Sequence, residues 1–380
     1  MTVNDKTRIM IIAGEPSGDR IGALLAKSLL QKDPALRLTG VGGALMQEAG
    51  VHLLEDMTRW AVVGLFEVIK NYQNFRRVFR NICNELDRMR PDVVVLIDFP
   101  GFNLRLAKVI REKKIKIAYY VSPQIWAWGK KRVSLIARTV TRMIVILPFE
   151  EAFYRKEGIK VDFVGHPLVD FYETYQDKIN LKKDLPEAGP VISILPGSRS
   201  NEIQRHLPPL LEAASLLKIN FPKARFLIPC ATDLIYEEVR QKTKDLDFVN
   251  VYQNSMKECL SVSKLAWVCS GTATLETAFL GVPMIVVYKI LPFTGFLLRR
   301  IIKVPFVGLV NLVAEKKIVP ELLQNDLRPA RVSQVTLDFL SNGSSLKDIH
   351  EELSKVKQKL GPPGASLRAA EIILDEAKKS

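Results

Sequence analysis

Two segments in the second half of the chain carry the residue types of a phosphate site: VISILPGSRSNE at 191–202 and SGTATLETAFLGVP at 270–283. Each reads as a buried strand that empties into a small-residue loop and then a helix. That arrangement presents free backbone N–H groups and the positive end of a helix to an anion. Arg199 adds a rigid guanidinium fork for phosphate oxygens, with Ser198 and the following N–H groups as further donors; a surface salt bridge is its competing use. Glu276 lies among small and apolar residues at a helix start. Burying it unpaired is costly, so it must bond to something, ribose hydroxyls being one partner. Asn311 and Glu315 stand one helical turn apart and face either a cleft or the solvent.

The first half offers different chemistry. Gly14-Glu15-Pro16-Ser17-Gly18-Asp19 follows an apolar run but lacks the lysine of a P-loop and the spacing of a dinucleotide fingerprint. It is either a tight turn capped by Ser17 or Asp19, or a loop lining a cleft where glycine admits a ligand. Asp98 closes an aliphatic run ahead of Phe99-Pro100-Gly101-Phe102-Asn103. It caps the next helix, or acts as a general base desolvated by Phe99 and Phe102. In SPQIWAWGKKR, Trp126 and Trp128 beside three positive charges suit stacking on a sugar or ring while the cations hold a phosphate; packing in the core is the competing use for one of the two tryptophans.

Metal and nucleophile patterns are poor. The histidines (His52, His166, His206, His350) show no ligand spacing, and the four cysteines form no CxxC pair. Asp245 and Asp247 match a DxD pattern but precede an expected strand, at the wrong end for a ligand. No metal and no cofactor are expected.

These residues need a frame to position them. A chain of 380 residues is long for one core, so two domains are expected. Strands are expected at 8–13, 37–41, 92–98, 116–122, 142–147 and 161–164, then at 191–195, 225–229, 248–252, 265–269 and 284–288. Runs such as VVVLID and MIVIL do not alternate, as parallel strands buried on both faces should not. Strand–helix alternation on this scale predicts two doubly wound α/β domains, 1–170 and 171–344, with terminal helices at about 345–380 free to pack back onto the first.

The excess of 55 Lys+Arg over 41 Asp+Glu points to anionic partners, with nucleic acid the weakest of them because no recognition motif is present. Cysteine usage and the absence of a leader-like segment fit a reducing cytoplasm. The apolar stretch 265–288 is cut by Gly271, Gly281 and Pro283, and 290–314 by Arg299, Arg300 and Lys303, so neither spans a bilayer. Residues Val68, Tyr72, Phe75, Phe79, Ile82 and Leu86 form a helical core stripe. Val62, Val63, Leu65, Phe66 and Ile69 exceed what that stripe needs, and Lys70, Arg76, Arg77 and Arg80 flank it. The stretch 290–314, with Phe293, Phe296 and Leu297, repeats the combination. Two such patches suggest docking on anionic lipid.

The ordered set AGEPSGD (13–19), GVGG (40–43), VGLFEVI (63–69), IDFPGFN (97–103), YYVSPQIWAWGKKR (119–132), ILPFE (146–150), VGHPL (164–168), LPGSR (195–199), SGTATLE (270–276), GVPMIVVY (281–288) and NLVAEKKIVPELLQ (311–324) resembles the lipid A disaccharide synthases over nearly the whole length. These are inverting glycosyltransferases of the GT-B fold. The resemblance implies two Rossmann-like domains facing across a cleft. It also implies transfer of 2,3-diacylglucosamine from its UDP derivative to the 6-hydroxyl of 2,3-diacylglucosamine 1-phosphate. The second domain would hold UDP through Arg199, Ser198, Ser270, Gly271, Thr272 and Glu276, with Asn311 and Glu315 completing the wall. Asp98 would be the base and Arg199 the catalytic cation. Glu15, Ser17, Gly18, Asp19, Asn103, Gln124, Trp126 and Trp128 would line the acceptor side. Residues 62–69 and 293–310 would meet acyl chains or the inner face of the inner membrane; a homodimer is compatible with all of this. The rivals are the N-acetylglucosaminyltransferase of the peptidoglycan lipid precursor, a UDP-sugar epimerase, and a non-catalytic UDP-sugar or lipid binder.

Overall fold

The computed structural model of the chain describes residues 6–58, 72–123, 130–177, 179–181, 185, 189–290, 305–341 and 343–379. They form two compact units, residues 1–174 with 360–380, and residues 175–359.

In the first unit a seven-stranded parallel sheet has the order β3-β2-β1-β4-β5-β6-β7. The strands are β1 (Arg8–Ala13), β2 (Arg37–Gly42), β3 (His52–Asp56), β4 (Val93–Ile97), β5 (Lys116–Tyr120), β6 (Arg142–Val145) and β7 (Val161–Phe163). The central strands β1 and β4 are buried along almost their whole length, which is why they lack alternation. Helix Tyr72–Met89 buries Val78, Ile82 and Leu86, with Phe75 and Phe79 partly buried beside them. The expected stripe is therefore the core face of this helix from Phe75 onward. Arg76, Arg77 and Arg80 are exposed on it. Residues 62–69, Gln124, Trp126, Trp128 and 293–303 lie outside the described residues.

The second unit has a six-stranded parallel sheet of order β10-β9-β8-β11-β12-β13. Its strands are β8 (Val191–Leu195), β9 (Arg225–Cys230), β10 (Val249–Gln253), β11 (Leu265–Cys269), β12 (Met284–Tyr288) and β13 (Glu321–Leu323). The sequence reading misses β3 and β13, both at sheet edges. Edge strands are short and only partly buried, so HLLED and ELL carry no continuous apolar run. Among the described residues, no helix is long and apolar enough to cross a membrane, and all four cysteines are free.

The C-terminal segment divides between the units: helix Gly343–Lys359 belongs to the second and helix Ala365–Lys378 to the first. GPPG separates them. The Asp170 carboxylate accepts the N–H groups of Gly364 (2.7 Å), Ala365 (3.2 Å) and Ser366 (2.8 Å), satisfying the orphan donors of the last helix. The His166 N–H donates to Leu360 O at 2.8 Å, and its Nδ1 accepts the Leu168 N–H at 3.0 Å.

Burial, aided by the Arg20 charge, pushes the His166 imidazole down to about 3. The unfolded chain therefore takes a proton below about 6.5 that the folded chain refuses. The stability this residue contributes is complete above that pH and is lost as pH falls toward 3. Denaturant midpoints followed from about pH 8 to about pH 4 should fall in the parent, the His166 share having a slope of up to about 1.4 kcal/mol per pH unit. His166→Asn, which keeps an acceptor for the Leu168 N–H, should show a shallower fall. Superimposable curves would show that His166 does not set it.

Candidate functional site

In open parallel sheets ligands collect at the carboxyl ends of the strands, where the chain order reverses. In the first unit that point lies between β1 and β4, and the loops leaving it are Gly14–Asp19 and Asp98–Asn103. Asp98 is not the last residue of the strand, as the aliphatic run suggests, but the first beyond it. Asp98 (φ 43°) and Phe99 (φ 47°) are consecutive left-handed residues, neither a glycine. Such conformations cost about 1–3 kcal/mol each and persist only where the surroundings enforce them.

The enforcement is visible. The Asp98 N–H donates to Tyr120 O at 3.2 Å. The Asp98 carbonyl accepts the Tyr119 hydroxyl at 2.7 Å and the Asn103 amide at 2.8 Å. The Phe99 carbonyl starts the helix Pro100–Glu112 by accepting the Phe102 and Asn103 N–H groups. The Phe99 ring lies against Gly14, where a Cβ would come within 2.3 Å of it. Phe75 and Phe102 flank the ring at centroid distances of 6.3 and 5.8 Å. The first loop therefore holds the second.

Two expected cleft residues have other uses. Asp19 is 5% exposed, and its carboxylate accepts N–H groups from Gly43 (2.7 Å), Leu45 (3.2 Å) and Met46 (3.1 Å). It caps the helix Ala44–Glu48 and fixes the GVGG turn instead of lining a ligand site. Burial raises its carboxyl above the usual range; the three N–H bonds oppose that rise. Asn103 is fully buried and clamps the carbonyls of Ile97 and Asp98. Glu15 is half-buried at the start of helix Pro16–Lys32, Ser17 is exposed, and Gly18 is buried against Ala13. Beyond β5, Ser122 donates to the buried Glu150 carboxylate at 2.6 Å, and the same carboxylate accepts the Leu147 N–H at 3.1 Å. Tyr119 and Glu150 went unread in the sequence. Glu150 had a signal, a carboxylate two residues after a helix-starting proline in ILPFE; Tyr119, inside a strand, had none.

The second unit reverses order between β8 and β11, and there LPGSR and SGTATLE emerge. The Ser198 and Arg199 N–H groups, expected to meet phosphate, donate instead to Glu202 Oε2 at 2.9 and 3.3 Å. This internal carboxylate caps helix Ser200–Asn220. The Arg199 side chain, 44% exposed and 3.5 Å from Glu202, is the cation of the loop. His206 is fully buried; its Nδ1 meets Pro196 O at 2.8 Å while Nε2 accepts the Lys289 N–H at 2.9 Å. That pairing requires a neutral Nδ1–H tautomer, and burial lowers its pKa accordingly. The imidazole ties the exit of β8 to the exit of β12.

Ser270 donates its hydroxyl to Val307 O at 2.8 Å. Gly271 (φ 150°) then makes a turn that favours glycine, opening helix Thr272–Phe279. Thr272 at its start is exposed and Glu276, one turn in, is buried. Asn311 and Glu315 part company. Asn311 is fully buried; its amide donates to Val319 O and Glu321 while its oxygen accepts the Ile318 and Val319 N–H groups. That exhausts its capacity, so it organises a loop instead of completing a ligand wall. Glu315 is 72% exposed and paired with Lys359 at 3.3 Å. Among the described residues no group of three or more His, Cys, Asp or Glu side chains could hold a metal ion.

A family model for lipid-A-disaccharide synthetase matches residues 9–374. A lipid-A-disaccharide synthase 1 of Legionella pneumophila (strain Lens) is 40% identical over 374 residues, covering 97% of each chain. A lipid-A-disaccharide synthase of Geobacter sulfurreducens is 39% identical over 379 residues, covering 99% of this chain and 98% of that one. Among solved structures, a UDP-GlcNAc 2-epimerase of Neisseria meningitidis aligns with TM-score 0.68 at 13% identity, covering 97% of this chain and 100% of its own. The calicheamicin glycosyltransferase CalG4 aligns with TM-score 0.60 at 14% identity, covering 98% of each. At such identities these structures show a common fold.

The contact between Gly14 and Phe99 makes a prediction. Gly14→Ala should push the Phe99 ring and shift Asp98, lowering turnover by on the order of a hundredfold while the chain stays folded. Steady-state rates alongside circular dichroism check it; a folded variant with parental turnover would show that the two loops are not coupled.

Proposed function

The chain belongs to the family of lipid-A-disaccharide synthases, hexosyltransferases of the GT-B fold, and from that premise we propose its substrates and the roles of its residues. The donor is UDP-2,3-diacylglucosamine and the acceptor 2,3-diacylglucosamine 1-phosphate. The products are UDP and the β-1′,6-linked disaccharide 1-phosphate. The observation that carries this reading is positional. The motif pair Gly14–Asp19 and Asp98–Asn103 leaves one switch point, and the pair LPGSR and SGTATLE leaves the other. The peptidoglycan-precursor transferase and epimerase alternatives gain no support: relatives at about 40% identity are named disaccharide synthases, and the likeness to epimerases is one of fold.

In this reading the acceptor 6-oxygen attacks the anomeric carbon as the bond to the UDP phosphate oxygen breaks. Asp98 takes the hydroxyl proton, and the electron pair leaves with UDP. Charge grows on that diphosphate, and the Arg199 guanidinium stabilises it; its exposure in the loop after β8 supports that role. The exposed start of helix Thr272–Phe279 adds N–H dipoles to the phosphates, and Glu276 holds the ribose. With Glu202 already on the backbone donors of LPGSR, the side chain of Arg199 carries that loop's share of binding. The chemistry calls for no metal.

We further propose attachment to the inner face of the inner membrane through the apolar patches at 62–69 and 293–303; the end of the expected 293–310 stretch takes no part, because Leu309 and Val310 are buried in the core. The exposed Arg76, Arg77 and Arg80 on helix Tyr72–Met89 support it, because a basic surface beside an apolar one favours anionic lipid.

Assayed in detergent with both substrates, the parent should form disaccharide in the presence of EDTA. Asp98→Asn should lose roughly a hundred- to ten-thousandfold in kcat. Arg199→Ala should lose on the order of a hundredfold or more. Folded parent that yields no disaccharide would overturn the substrate assignment, and loss of activity with EDTA would overturn the metal-free mechanism. For the membrane proposal, an Arg299→Gln, Arg300→Gln, Lys303→Gln triple variant should sediment less with anionic vesicles than the parent. Equal sedimentation would remove these side chains from the attachment surface.

A further inference from the structure

The sequence assigns Tyr119, the first residue of the block at 119–132, no role of its own, yet its hydroxyl bonds the Asp98 backbone. It is fully buried in β5, and its hydroxyl reaches across to the end of β4, donating to the Asp98 carbonyl at 2.7 Å. The Asn103 amide shares that carbonyl at 2.8 Å, and the Asp98 N–H is held by Tyr120 O at 3.2 Å. Residue 98 is left-handed at φ 43° and is followed by a second left-handed residue. A non-glycine residue relaxes out of this region unless its peptide groups are pinned on both sides. The direction of the carboxylate depends on that backbone angle.

We propose that Tyr119 is a positioning residue for Asp98: by clamping the carbonyl of residue 98 it holds the left-handed turn and presents the carboxylate to the acceptor hydroxyl. The inference rests on the reading of Asp98 as the base. A buried phenol suits the task, because burial and the nearby Asp98 charge hold its proton well above the usual tyrosine range, so it remains a donor. Asn103 is the second half of the clamp; its Oδ1 finds no hydrogen-bond partner among the described residues, so only its amide N–H groups do the holding.

The test is a double-mutant cycle on the full chain with both lipid substrates. Tyr119→Phe should lower kcat by roughly ten- to a hundredfold, with KM for donor and acceptor within about threefold of the parent. The acid limb of its kcat–pH profile should stay where the parent has it. The variant combining Tyr119→Phe with Asp98→Asn should be no slower than Asp98→Asn alone, since the clamp acts only through the carboxylate. Should Tyr119→Phe fail to fold, Asn103→Leu removes the other donor and should show the same split between kcat and KM. Parental kcat in a folded clamp variant, or additive losses in the double variant, would overturn the proposal. Parent that makes no disaccharide would overturn the functional reading with it, and Asp98→Asn at the parental rate would overturn the base. Loss in Asp98→Asn together with either parental kcat in the clamp variant or additive losses in the double variant sinks the clamp alone.

Discussion

The loops of both units are held by carboxylates that sit, from inside the protein, on backbone N–H groups left over at helix starts. Asp19 takes those of Gly43, Leu45 and Met46; Asp170 takes those of Gly364, Ala365 and Ser366. Glu202 takes Ser198 and Arg199, and Glu321 takes Val307 and Gly308. Glu150 closes the same kind of contact on Leu147. A helix start leaves four donors without partners and carries a partial positive charge, so an internal anion satisfies both needs at once. A charge-assisted bond of this kind contributes about 1.5–3 kcal/mol, and losing one at a buried donor such as the Gly43 N–H leaves that donor stranded.

This constraint shapes how the chain can bind an anion. Where a helix start is already capped from within, a diphosphate gains little from its N–H groups and must be met by side chains. On the proposed reading, that shifts the burden in LPGSR to Arg199. The helix opening at Thr272 has an exposed first residue and a glycine turn before it, which supports the proposal that a phosphate meets the chain there. The two loops of the second unit thus differ in kind although their sequences read alike.

Beside its carboxylate caps, the first unit also uses internal bonds to hold a strained turn. The left-handed pair Asp98–Phe99 survives because Tyr119, Tyr120 and Asn103 pin its peptide groups while Gly14 makes room for the Phe99 ring. On the proposed reading of Asp98 as the base, strain of this order keeps the direction of its carboxylate fixed between turnovers. The residues that enforce it come from the loop after β1, from β5 and from the helix after β4, so the turn depends on strand order as much as on its own sequence.

The sequence by itself determined the class of fold, most of the strands and the small-residue loops that leave the switch points, because unbroken apolar runs and small-residue turns are local signals. The edge strands β3 and β13 escaped it, since an edge needs no apolar run. What individual polar side chains do was decided only by tertiary structure. Asp19, Asn103 and Asn311 have the composition of ligand groups, yet each spends its hydrogen bonds inside the protein: Asp19 on a distant segment, Asn103 on the carbonyls just before it, and Asn311 on the strand entry that follows it. Tyr119 has the look of a core residue and instead holds the candidate base. A hydrogen bond between residues tens of positions apart leaves no spacing to read, and which donor meets which acceptor is settled by the order in which parallel strands assemble.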